Sequence, residues 1–112
     1  MRVPEDNSLL LEEIKELIEA PAPPQPDGYL EKLEHTLTDG YATALALEAE
    51  RWRLQRKIGE VAQKLGSPGS ELGPEELASL AKKMSAADVR LTHLRGMLTS
   101  LRDRASEARA TA

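Results

Sequence analysis

At 112 residues the chain is one domain at most, near the lower limit at which an unaided core is sustained. With no Cys, no Phe, one Trp and two Tyr, disulfides and Cys-based chemistry are excluded, and any core must come from Leu, Ala and Met. The formal net charge of −4 hides an asymmetry, since residues 1–50 carry 3 Lys/Arg against 12 Asp/Glu and residues 51–112 carry 12 against 7.

Residues 1–20 form the first predicted element, an amphipathic helix. Pro4 and Asp6-Asn7 suit no regular structure, and Asn7 or Ser8 can cap the helix by accepting the free N–H groups of its first turn. Leu10, Leu11, Ile14, Leu17 and Ile18 then share one face, with Glu12, Glu13, Lys15, Glu16 and Glu19 off it. A helix of about 12 residues is marginal alone in water, so this one must dock on something. Residues 21–27 come next as a linker. Four prolines in Pro21-Ala22-Pro23-Pro24-Gln25-Pro26 forbid a helix and favour an extended spacer of roughly 3 Å per residue, about 20 Å here.

Residues 28–112 read as an antiparallel two-helix coiled-coil hairpin. From Leu30 the first arm keeps an unbroken 3-4 alternation: Leu33, Leu37, Gly40, Ala44, Leu47, Arg51, Leu54, Ile58, Val61, Leu65. Asp27 is its expected cap. Asp39-Gly40 is its weak point, where Thr38 or Asp39 capping a restarted helix is the alternative, but the phase is the same on both sides, which argues for continuity with Gly40 and Ala44 packed opposite Leu98 and Leu101. The second arm answers with Leu77, Leu80, Met84, Ala87, Leu91, Leu94, Leu98, Leu101, Ala105 and Ala108. Between them GSPGSELG, residues 66–73, reads as the turn, with Pro74 suited to the first helical position. Antiparallel folding sets the acidic start of one arm (Glu31, Glu34, Asp39) beside the basic end of the other (Arg95, Arg102, Arg104, Arg109), and Leu54 opposite Met84 and Ala87 as core.

Few residues suggest chemistry. His35 and His93 are far apart in sequence and make no HxxxH or ExxH pair, so no metal is expected. No glycine-rich phosphate loop, nucleophile–base pair or calcium loop is present, so neither a cofactor nor an enzymatic activity is expected. No apolar run approaches a membrane span, and MRVPEDN lacks the basic start and apolar core of a signal peptide; a cytoplasmic location is the expectation. No family signature is present either. The Trp-x-Gly turn of WXG-type helical hairpins is missing, because Trp52 falls mid-helix.

The informative residues are apolar ones off the seam. Tyr41, Leu45, Ala49 and Trp52 recur at helical spacing, flanked by Arg51, Arg53, Arg56 and Lys57. Trp and Arg together are what protein interfaces are enriched in. A hairpin buries one stripe only, so this second face is expected to meet another helix. The linker's reach puts Leu10, Ile14 and Leu17 over it near Trp52, in the same chain or a neighbouring copy, with Glu12, Glu13 and Glu16 approaching the arginines; the alternative is a helix held away as a tethered bait for another protein. The expected function is a non-enzymatic oligomeric adaptor or scaffold whose partner is a second copy, completing a bundle as a homodimer, or another helical protein. The alternative is a regulator touching nucleic acid or the transcription machinery through residues 51–57. A membrane-surface role is disfavoured by the acidic N-terminal helix.

Overall fold

The computed structural model describes residues 8–23, 28–65 and 73–111, which form three helices and no strand: α1 (Ser8–Glu19), α2 (Tyr29–Leu65) and α3 (Pro74–Thr111). The chain is all-α. Asp27 and Asn7 as caps, residues 24–27 of the linker and residues 66–72 of the turn lie outside the described residues. What starts α2 within them is Gly28, whose carbonyl accepts the first helical bond from the Lys32 N–H at 3.0 Å. Its φ of +79° is a conformation that L side chains rarely adopt, and here the glycine is required. Gly73 plays the same part for α3, accepting from the Glu76 N–H at 3.1 Å. Pro74 stands next, at the first helical position, where its missing N–H costs nothing, and Glu75 and Glu76 meet the positive end of the helix dipole.

α2 runs unbroken through Asp39-Gly40, and every seam position in both long helices is buried or half-buried. The described residues divide into two compact units, Met1–Ala44 with His93–Ala112 and Leu45–Thr92.

The first unit contains α1 and has the denser core. Ile14, Leu33, Leu37, Ala44, Leu94, Leu98, Leu101 and Ala105 are buried, each large one worth roughly 1.5–3 kcal/mol relative to exposure. Moving back along α2 from Gly40 to Glu34 moves the partner forward along α3 from Leu98 to Arg109, so these segments run antiparallel. Arg109 Nη2 reaches Glu34 Oε2 at 3.0 Å. Thr36, beside Leu33, Leu37 and Gly40, is also buried. Thr36 stands off the 3-4 seam, so the buried arc of α2 in this unit is wider than one stripe.

The second unit has a thinner core. Leu47, Val61, Ala87 and Leu91 are buried, while Leu54, Ile58, Leu65, Leu77, Leu80 and Met84 are half-buried. Leu54, expected as core, is therefore only partly covered, because two helices without a third leave the seam open at its flanks. The Arg51–Asp88 and Glu50–Arg90 pairs, at 2.8 and 3.2 Å, show antiparallel pairing here too.

Candidate interaction surface

The polar residue in the α2 seam is Arg51, and the structure explains its presence. It sits between Leu47 and Leu54 with its head directed outward, where Nη1 donates to Asp88 Oδ1 of α3 at 2.8 Å. The aliphatic stem covers the seam while the charge stays near water, with its side chain 43% exposed. Arg51 thus belongs to the pairing of the two helices.

Its neighbours point away from that pairing. Leu45 is 66% exposed and Trp52 58%, and Arg53, Arg56 and Lys57 are exposed beside them. The Arg56 guanidinium lies 5.0 Å from the centroid of the Trp52 ring, near enough for the ring's negative face to attract it. The contact leaves the indole exposed. On α3 of the same unit Val89 is 66% exposed. Val89 was not among the residues expected from sequence, although being apolar and off the seam would have identified it.

In the first unit the expected residues separate. Tyr41 is 44% exposed. Ile14 is fully buried, Leu10 and Leu17 are half-buried, and Leu9, absent from the apolar face expected from sequence, is 83% exposed. α1 lies in the first unit. It is committed to the unit that holds the second half of α3, where Arg104 Nε donates to the Leu17 carbonyl at 3.2 Å and Nη2 to the Ala20 carbonyl. These are orphan acceptors at a helix C-terminus, and a guanidinium satisfies both their hydrogen bonds and the negative end of the dipole. Arg104 was expected to serve the acidic start of α2; this role, across 87 residues of sequence, has no local signature that could have found it.

Beside Arg104 lies a small open cleft of about 200 Å³, lined by Ala22, Tyr29, Arg104, Glu107, Ala108 and Thr111. The Tyr29 hydroxyl is buried with no hydrogen-bond partner among the described residues. His35 Nε2 stands 3.5 Å from Asp39 Oδ2, both exposed. No group of three His, Cys, Asp or Glu able to hold a metal ion occurs among the described residues, and no helix there is long and apolar enough to cross a membrane. Compared with known proteins, the chain matches no family profile, no curated protein and no solved structure.

Proposed function

We propose that the protein is a non-enzymatic adaptor or scaffold, a cytoplasmic antiparallel coiled-coil hairpin that self-associates as a homodimer and offers a helical surface to protein partners. The observation that carries this reading is the pair Leu45 and Trp52, both more than half exposed on one side of α2 with Arg56 over the indole. A tryptophan ordered by an arginine at the surface has the composition of an interface centre, where truncation commonly costs about 2 kcal/mol or more of binding. The absence of cysteine suits a reducing compartment. Sedimentation equilibrium at micromolar concentration tests the homodimer: twice the chain mass is expected, reduced towards the monomer by Trp52→Ala, and a monomer mass for the unaltered chain overturns it.

A second reading uses the same cations for nucleic acid. Arg53, Arg56 and Lys57 are exposed, but Arg51 is engaged by Asp88 and Arg56 by the indole. Binding through them would fall with salt at about 0.9 logarithmic units per phosphate neutralised. No measurable binding of a duplex or single strand at low salt is the expected result.

A further inference from the structure

We propose that the Leu45–Lys57 side of α2 binds the outward, acidic side of α1 from a second copy of this chain. This rests on the self-association proposed above and names the two surfaces that meet.

On α1, Leu9, Glu12, Glu13 and Glu16 fall within an arc of roughly 100° at 3.6 residues per turn, with Glu19 at its edge, and all are exposed. Ile14 lies on the opposite side and is fully buried. Together with the Arg104 bonds it fixes α1 in its own unit with the carboxylates turned out. No ion pair among the described residues engages Glu12, Glu13, Glu16 or Glu19. On α2, Trp52, Leu45, Arg56 and Arg53 fall within a similar arc of roughly 100°, with Lys57 at its edge. All of these are exposed, and none of the three cations is ion-paired among the described residues.

The two surfaces match in sign, spacing and length. Glu12 and Glu16 are four residues apart, as are Arg53 and Lys57; Glu13 and Glu16 are three apart, as are Arg53 and Arg56. Side by side, the helices present charges of opposite sign at the same intervals of about 5–6 Å. Leu9–Glu19 extends about 15 Å and Leu45–Lys57 about 18 Å. Leu9, 83% exposed, is the apolar residue on the acidic side, and Leu45 and Trp52 are its counterparts on the basic one. Both surfaces are exposed, and each copy carries both, so every copy can give one and receive the other. Opposite potentials set register and speed encounter, and their effect weakens with salt.

The test is a charge exchange in the full chain, with sedimentation equilibrium at 50 and 500 mM NaCl. One variant carries Glu12→Arg and Glu16→Arg, the other Arg53→Glu and Arg56→Glu. The unaltered chain should associate, less so at the higher salt; each variant alone should sediment as a monomer, and an equimolar mixture should regain association. Circular dichroism checks that each variant is folded. If one is not, Gln replaces the reversed charges, and each Gln variant should associate about tenfold more weakly. A monomeric unaltered chain overturns this inference and the homodimer together. Association that survives either charge reversal, or a mixture that stays monomeric, overturns this inference alone and leaves self-association to another face. Competition of the association by a duplex DNA would assign the basic side to nucleic acid and overturn it as well.

Discussion

Gly40 of α2 and Leu98 of α3 are packed so closely that a Cβ at position 40 would lie 2.3 Å from Leu98 Cδ2. No carbon pair tolerates that separation, so a side chain at position 40 would force Leu98 to turn within a packed seam. The glycine carries a helix-propensity penalty of about 1 kcal/mol against alanine, and Leu98, 2% exposed, offsets that penalty by its burial. Gly40→Ala sets that gain in propensity against about 1–3 kcal/mol of overpacking, and a net loss of stability is expected. With Leu98→Ala already in place the obstruction is gone, and the same Gly40→Ala change should stabilise by about 1 kcal/mol. Chemical denaturation of the four proteins checks this; the same sign in both backgrounds would mean that the two residues do not meet.

Arg104 is expected to control α1 alone. Arg104→Met keeps the aliphatic stem and removes the bonds to the Leu17 and Ala20 carbonyls, with an expected loss of about 1.5–3 kcal/mol. Hydrogen exchange should show α1 amides losing protection while the centres of α2 and α3 keep theirs. Arg104→Lys should recover only part, because an ammonium lacks the planar fork that reaches two acceptors. Unchanged exchange in α1 after Arg104→Met would refute the capping role.

The Arg51–Asp88 pair should contribute little to stability despite its 2.8 Å separation. Both side chains are more than two-fifths exposed, and pairs of that kind are worth about 0–1 kcal/mol. A double-mutant cycle with alanine at each position should give a coupling within that range. Arg51→Leu fills the gap between Leu47 and Leu54 with apolar surface and should leave the second unit as stable or more so. A loss above about 1 kcal/mol would show that the pair does more than the geometry indicates.

Tyr29→Phe removes a buried hydroxyl that has no partner among the described residues. Nothing is given up but an uncompensated polar atom, so stability should hold or rise by up to about 1 kcal/mol. A loss of that size in thermal denaturation would reveal a hydrogen bond to the hydroxyl.

Much of this architecture could be read from residue spacing. The 3-4 alternation from Leu30 to Leu65 and from Leu77 to Ala108 marks the positions the structure covers, and the shared phase across Gly40 marks α2 as continuous, with Leu98 opposite. Periodicity reports which side of a helix is apolar, and that side is a property of local sequence. How completely it becomes covered is not local: Leu101 and Leu54 look alike in the pattern, yet one is fully buried in the unit that contains three helices and the other half-buried in the unit built of two. The seat of α1 in the first unit is not a local property either. An extended linker and opposite charges point α1 towards Trp52 of its own chain or a neighbour's, whereas the bonds that tie its C-terminus to α3 come from a single arginine donating to two backbone carbonyls, and backbone acceptors leave no trace in composition. The exposure of Trp52 was legible in part, since it stands off the seam, but its contact with Arg56 needed coordinates.

The Arg104–Leu17 bond joins residues 87 apart, whereas the Leu45–Thr92 unit is contiguous in the chain. At ribosomal rates of about 5–20 residues per second, roughly 4–17 s separate the synthesis of the bond's two ends. During that time the Leu45–Thr92 segment has what it needs to pair with itself, and closing this nearer loop costs less entropy than closing the longer one. α1 has been made but has no partner, and at 12 residues it does not hold a helix alone. The first of the three helices to be made thus waits for an arginine added 87 residues later.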